Sequence, residues 1–287
     1  MPNTPSKWLV ETDWLAQHLD APGVVVLDGS LHLPTTGRDA RAEHQAGHIP
    51  GALFFDINDI ADKANPLPHM MPGPIPFSSR MKKMGIGDGM RIVVYDTEGF
   101  YSAARVWWMF RVMGHDDVAV LNGGLKKWRA EGRALEDMPP RKRAESHFTA
   151  RFNAALVNDW RDVQGAIGKP GVQIVDARAA ARFAGSVPEP REGLRAGHIP
   201  SSKNVVFTDL VNTDGTMKDE ASLRRIFAAA GVDPGKPVIA SCGSGVTAGV
   251  IAFALAQLGQ TDAAVYDGSW TEWGARNDLP IATGPAT

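Results

Sequence analysis

Residues 238–258 read VIASCGSGVTAGVIAFALAQL. A short apolar run leads to Cys242, a Gly-Ser-Gly turn follows, and a longer apolar run of helix-forming residues comes next. A buried strand that passes through a glycine-rich turn into a helix is typical of parallel α/β sheets. This stretch therefore predicts a strand that ends at Ser241, a loop over residues 242–245 and a helix that begins near Val246.

The same pattern occurs earlier in the chain, because the sequence repeats itself once. Residues 91–96 (RIVVYD) correspond to residues 237–242 (PVIASC), and AGHIP occurs both at 46–50 and at 196–200. Two further pairs, VVVLD with VQIVD and VAVLNGGLKKW with AAVYDGSWTEW, follow the same order at nearly the same offset. Such matches indicate a tandem duplication. Since strands and helices alternate in each half, we predict two α/β domains, each a parallel sheet with helices on both faces.

The bulk composition agrees with two ordinary domains. We place them at residues 1–134 and 157–287, joined by a linker over 135–156 that is rich in proline and charge. The chain has 287 residues, 44% of them hydrophobic, and a net charge of −2, which argues against a nucleic-acid-binding protein. No apolar run is long enough to span a membrane, and the N-terminus lacks a signal-peptide pattern. The sequence thus predicts a soluble, cytoplasmic protein without nucleic-acid or membrane partners.

Cys242 is the only cysteine of the chain, which excludes an intrachain disulfide and a multi-cysteine metal site. Gly243 and Gly245 allow a sharp turn that points backbone N–H groups inward, and the following helix adds the positive end of its dipole. Such a cradle favours an anionic sulfur. A lone cysteine is most often a buried structural residue, but the open end of a parallel strand is where α/β sheets bind ligands. We therefore interpret Cys242 as the reactive residue.

The whole chain resembles the tandem-domain rhodanese superfamily, whose N-terminal domain lacks the cysteine that the C-terminal domain carries. Asp96 stands in the first half where Cys242 stands in the second. The loop CGSGVT, residues 242–247, resembles that of the 3-mercaptopyruvate sulfurtransferase branch. The thiosulfate branch has two basic residues in the places of Gly243 and Ser244. The resemblance implies two tandem rhodanese-like domains and a sulfurtransferase that carries sulfur as a persulfide on its cysteine.

The resemblance also implies the residues that hold the substrate. Residues 181–200, ARFAGSVPEPREGLRAGHIP, are interpreted as a long loop. Their RF…PEPR pattern matches the branch and places its two substrate-binding arginines at Arg182 and Arg191. Arginine suits a carboxylate because its guanidinium group forms two parallel hydrogen bonds. Arg178 and Arg195 are interpreted as solvated surface arginines.

Within the cysteine loop, Ser244 is a candidate to donate a hydrogen bond to the substrate or to relay a proton. Thr247 is expected to cap the helix, and Val246 completes the loop with the two glycines.

His69 lies in the proline-rich stretch PLPHMMPGPIPF, predicted to be a loop, and the resemblance places such a segment near the active cleft. It is a candidate for proton transfer, with a surface histidine as the alternative. Asn58 stands where some members have a relay carboxylate, so no relay is predicted.

Together these residues predict a double displacement. The Cys242 thiolate takes the sulfur of 3-mercaptopyruvate, pyruvate leaves, and thioredoxin, a small thiol or cyanide accepts the sulfur. No metal or organic cofactor is implied. Two alternatives stay open: a thiosulfate:cyanide sulfurtransferase, which donor preference would identify, and a non-catalytic persulfide carrier, which would lack steady-state turnover. A cysteine phosphatase is disfavoured, because Ala248 stands where that chemistry requires an arginine.

Overall fold

The computed structural model describes residues 6–140 and 142–286. It divides into two compact units. Unit 1 contains the described residues up to Ala61, then Pro72–Asn153 and Thr213–Met217. Unit 2 contains Asp62–Met71, Ala154–Asn212 and the described residues from Lys218 onward. Each unit thus includes one short segment from the other half of the sequence. The passage between the units at residues 153–154 falls inside the predicted linker, whose limits stay a prediction.

Unit 1 is built on a parallel sheet that has five strands among the described residues, in the order β1-β5-β4-β2-β3. The strands are β1 Leu9–Val10, β2 Val24–Asp28, β3 Leu53–Phe54, β4 Arg91–Tyr95 and β5 Val118–Leu121. The helices are α1 Thr12–His18, α2 Ala40–Ala46, α3 Ile57–Ile60, α4 Pro74–Lys83, α5 Ala103–Val112 and α6 Gly124–Ala130, with a short 3-10 turn at Pro34–Thr36.

Unit 2 repeats this architecture. Its described residues form a parallel sheet in the order β6-β10-β9-β7-β8. The strands are β6 Val157–Asn158, β7 Gln173–Asp176, β8 Lys203–Asn204, β9 Val238–Ser241 and β10 Ala264–Tyr266. The helices are α7 Trp160–Ala166, α8 Ala180–Phe183, α9 Glu220–Ala229, α10 Ala248–Gln257 and α11 Ser269–Trp273, with 3-10 turns at Ala154–Leu156 and Phe207–Leu210. The identical strand order confirms the predicted pair of α/β domains.

The central helix of each unit anchors the loop that precedes it. Helix α10 is buried from Ala248 to Ala256, and α5 is buried along nearly its whole length. Each loop therefore runs from a buried central strand into a buried helix, so both of its ends are held by apolar packing. No helix of the described residues has the length and hydropathy that a membrane crossing needs.

Three local predictions need correction. The helix after the cysteine begins at Ala248 rather than near Val246, because residues 242–247 all belong to the turn. The proline-rich stretch is not entirely a loop, since α4 begins at Pro74, where proline is tolerated in the first helical turn. Residues 181–200 are not entirely a loop either, because α8 extends to Phe183.

Candidate active site

Cys242 follows β9, a central strand of the sheet of unit 2, at its carboxyl end. The chain then turns through residues 243–247, with Gly245 at a φ of 76°, a conformation that favours glycine. The cysteine itself is only 1% exposed. The predicted strand end at Ser241 is confirmed. The reactive candidate thus lies where parallel sheets present their loops to ligands.

The backbone of this turn offers hydrogen-bond donors. Within the described residues, the N–H groups of Ser244, Val246 and Thr247 are not donated to any acceptor. Thr247 occupies the N-cap position of α10, but its hydroxyl forms no capping hydrogen bond. These N–H groups, together with the N-terminal end of a buried helix, form a cradle suited to an anionic sulfur.

Two arginines from the segment after β7 reach this turn. Arg182 lies so close to Gly243 that a Cβ atom added there would be 3.2 Å from its Nη2. A larger residue at 243 would therefore displace the Arg182 guanidinium group. Arg191 contacts Ser244, the next residue of the turn, and its Nη2 donates a hydrogen bond to the Ser244 Oγ at 3.5 Å. The structure thus brings together the cysteine loop and both arginines predicted to bind substrate.

Glu189, which the sequence reasoning missed, holds Arg182 in place. Its side chain is 1% exposed, and its Oε2 accepts a hydrogen bond from Arg182 Nη2 at 2.5 Å. Its Oε1 accepts a second from Arg178 Nη1 at 2.8 Å. Its only signal in the sequence was its place between the two prolines that precede Arg191. The buried carboxylate of Glu189 therefore orients the Arg182 guanidinium group at the turn and links it to the guanidinium group of Arg178.

The interpretation of Arg178 as a solvated arginine is wrong. Its side chain is 0% exposed and also donates to Asp176 Oδ2 at 2.7 Å. Burial tends to lower the pKa of Arg178, but the carboxylates of Asp176 and Glu189 raise it above its usual value. A buried charge persists because it is paired on both sides.

The interpretation of Arg195 as a solvated side chain is also wrong. Its guanidinium group donates to backbone carbonyls at the end of α11 and in the segment after it, namely those of Trp273, Gly274, Arg276 and Leu279. Arg195 therefore fastens the end of the arginine-rich segment to the C-terminal part of unit 2. This arrangement is structural and leaves Arg195 without a place at the cysteine loop.

His69 lies in Asp62–Met71, the segment that belongs to the same unit as Cys242. It adopts a φ of 63°, which is uncommon for a residue other than glycine. Two residues later, the Met71 N–H donates to Asp267 Oδ2 at 2.6 Å. Asp267 begins the turn whose next residues bind the cysteine loop, so the segment is anchored beside that turn. Proton transfer by His69 stays a prediction.

That turn and the start of α11, which follows it, were also missed as part of the site. The Trp270 N–H donates to the Cys242 carbonyl at 3.0 Å, and the Thr271 N–H donates to the Gly243 carbonyl at 2.8 Å. The Ser269 Oγ accepts the Cys242 N–H at 3.1 Å and lies 3.9 Å from the cysteine sulfur. The sequence of this turn, DGSW, stands out only as part of a repeated pair.

Among the described residues, no group of three or more His, Cys, Asp or Glu side chains could hold a metal ion.

The chain is similar to known proteins over most of its length. The family described as Rhodanese-like domain matches residues 11–131 and 159–276. The 3-mercaptopyruvate sulfurtransferase of Escherichia coli K12 is 44% identical over 96% of this chain and 97% of its own. The thiosulfate sulfurtransferase of Bos taurus is 43% identical over 92% of this chain and 91% of its own.

A solved structure extends the similarity to the fold. The crystal structure of SseA from Escherichia coli, described as a 3-mercaptopyruvate sulfotransferase with a rhodanese fold, superposes with a TM-score of 0.84 at 42% identity. The match covers 92% of this chain and 98% of SseA. The two matches to the Rhodanese-like domain fall one in each half of the chain, and the second includes the turn that carries the cysteine.

Proposed function

The chain belongs to the rhodanese-like family, and from this premise we propose that it transfers sulfur from 3-mercaptopyruvate to a thiol or to cyanide through a persulfide on Cys242. The observation that carries the proposal is the convergence of Arg182 and Arg191 on the loop of the only cysteine. A nucleophile, an anion cradle and two carboxylate-binding groups are the parts that this reaction needs.

In the first half-reaction, the Cys242 thiolate attacks the sulfur of 3-mercaptopyruvate. A new S–S bond forms and the C–S bond breaks, with its electron pair staying on carbon as the enolate of pyruvate. The enolate takes up the proton of the donor thiol, so that the products are pyruvate and the Cys242 persulfide anion. The N–H groups of the turn stabilise the negative charge on the persulfide.

In the second half-reaction, an acceptor thiolate or cyanide attacks the outer sulfur. The S–S bond to Cys242 breaks, and its electron pair regenerates the cysteine thiolate. Thioredoxin or a small thiol is the proposed acceptor. Because the two substrates react in turn at the same sulfur, we expect ping-pong kinetics.

The two arginines distinguish the donors. We assign Arg182 and Arg191 to the carboxylate and the ketone of 3-mercaptopyruvate, which match the planar guanidinium group. We assign Ser244, whose Oγ accepts a hydrogen bond from Arg191 Nη2, to donate its own O–H to the same substrate. Gly243 provides the space for Arg182, and a basic side chain in its place would fill that space.

A second candidate donor is thiosulfate, because a relative of 43% identity is named a thiosulfate sulfurtransferase. The deciding measurement is the initial rate with each donor, with cyanide as the shared acceptor and Cys242→Ser as the control. We expect a strong preference for 3-mercaptopyruvate and no turnover by the variant. A preference for thiosulfate would refute the donor assignment. Turnover by Cys242→Ser would refute the mechanism, and a wild-type protein that loads sulfur without turnover would be a carrier.

A further inference from the structure

Ser269 is completely buried beside the reactive cysteine, where it is the first residue of α11 at the end of the turn after β10. Its Oγ accepts the Cys242 N–H at 3.1 Å. The single O–H proton has two acceptors within reach, the Tyr266 carbonyl at 2.8 Å and the Cys242 sulfur at 3.9 Å. One hydroxyl group therefore fixes the cysteine backbone and lies within hydrogen-bonding distance of its sulfur.

The backbone of Ser269 is unusual for a serine. Its φ is 48°, in the left-handed region that glycine adopts readily and that other residues adopt at a cost in free energy. Non-glycine residues in this region persist where the surrounding structure requires them, often at functional sites.

The repeat supplies an internal control for this observation. In unit 1 the corresponding residue is Gly124, with a φ of 54°. The two turns bind their loops in the same way, because the Leu125 N–H donates to the Asp96 carbonyl at 2.9 Å as the Trp270 N–H donates to that of Cys242 at 3.0 Å. The half without a cysteine thus has the residue that this backbone favours.

The half with the cysteine has a strained residue that contributes a hydroxyl group. A Cβ atom on Gly124 would collide with the Asp96 carbonyl, whereas the turn around Ser269 accommodates a side chain. Correct folding of the turn does not require serine, since the same turn forms around glycine in unit 1. The presence of a hydroxyl group at Ser269 is therefore best explained by its contacts with the N–H group and the sulfur of Cys242.

We propose that Ser269 is a positioning residue for sulfur transfer, which locks the Cys242 peptide and directs the cysteine sulfur toward the N–H groups of the turn. When the sulfur carries charge it becomes a better acceptor, and the Ser269 O–H can turn from the Tyr266 carbonyl to it. Loss of this hydroxyl leaves the arginines intact but loosens the nucleophile that must meet the bound donor. This inference rests on the proposed role of Cys242 as the sulfur carrier.

The test compares Ser269→Gly with Ser269→Ala. Both remove the hydroxyl group, but glycine relieves the backbone strain whereas alanine keeps it. We expect kcat with 3-mercaptopyruvate to fall by about tenfold in both variants with little change in KM, since one hydrogen-bonded contact at the nucleophile is lost. The melting temperature of the glycine variant should exceed that of the alanine variant. If the two variants lose the same kcat although their melting temperatures differ, the loss comes from the missing hydroxyl group and not from lower stability.

Ser202→Ala is the matched control. Ser202 is a buried serine of the same unit whose hydroxyl donates to the Ile199 carbonyl at 2.6 Å, away from the cysteine loop. This variant should lose stability but keep its kcat. A wild-type kcat in Ser269→Gly would overturn the proposal.

The rate at which iodoacetamide alkylates Cys242 gives a readout that needs no sulfur donor. If the wild-type protein does not turn over 3-mercaptopyruvate, the proposed function fails, and the alkylation rates still judge Ser269. We expect the alkylation rate to change in both Ser269 variants and not in Ser202→Ala. Equal alkylation rates in all four proteins would refute the positioning role.

Discussion

The loops after β4 and after β9 occupy equivalent places in the two halves of the chain, and they differ in whether the loop contains a carboxylate of its own. In unit 1 the loop contains its own anion. Four backbone N–H groups of residues 98–103 donate to the Asp96 carboxylate, two to each oxygen, at 2.6–2.9 Å. In unit 2, Cys242 has no charged oxygen to offer, and N–H groups of the corresponding turn remain available to a ligand.

The comparison indicates that the residue after the central strand determines whether the loop contains an acceptor for its own N–H groups. Asp96 demonstrates that the strand–turn–helix of this fold collects N–H groups around an anion. Burial raises the pKa of Asp96, and the four N–H donors oppose that rise. The first loop is also one residue longer, since α5 begins at Ala103 and α10 at Ala248. In the second loop, with its shorter turn and its cysteine, the N–H groups of Ser244, Val246 and Thr247 have no such acceptor among the described residues.

The largest effect is expected from Cys242→Asp, which gives the second loop the anion of the first. Sulfur loading should be abolished, because a carboxylate cannot form a persulfide. The variant should nevertheless melt at a higher temperature than Cys242→Ala, since its carboxylate can accept N–H groups of the turn. Mass spectrometry after incubation with 3-mercaptopyruvate measures loading, and thermal unfolding measures stability. A lower melting temperature for the aspartate variant would show that the two cradles are not equivalent.

The next largest effect is expected from the two arginines outside the second loop. Asp96 accepts hydrogen bonds from within its own loop, whereas the proposed reaction also requires Arg182 and Arg191 to hold the donor. Arg182→Ala and Arg191→Ala should each lower kcat/KM for 3-mercaptopyruvate by roughly 10- to 100-fold, the loss expected for charged hydrogen bonds. Arg224→Ala, which removes an exposed arginine paired with Glu220 on α9, is the control. Unchanged kinetics in both site variants would show that other groups hold the substrate.

The sequence predicted those features that depend on local pattern or on repetition. The strand end at Ser241 follows from a short apolar run before a glycine-rich turn, and the equal strand orders follow from the duplication. The start of α4 at Pro74 was within reach of the same reasoning, because proline favours the first helical turn.

The remaining features depend on contacts between distant parts of the chain. Ser269 meets Cys242 only because β10 lies beside β9 in the sheet. Arg178 is buried because the carboxylates of Asp176 and Glu189 meet there, which no spacing in the sequence reveals. Residue type and periodicity indicate which side chains can react, but the partners that orient them are set by the tertiary fold.

The smallest effect on sulfur transfer is expected from Asp96→Asn, which sharpens the comparison from the other side. The amide group of asparagine can accept hydrogen bonds with only one of its two terminal atoms, so some of the four N–H groups would lose their acceptor in a buried place. We expect the free energy of unfolding to fall by about 1–3 kcal/mol, while kcat and KM of the folded protein stay at wild-type values. Chemical denaturation, followed together with steady-state rates, measures both quantities. Wild-type stability would mean that the Asp96 carboxylate does not hold its loop, and a large loss of kcat would mean that unit 1 takes part in the reaction.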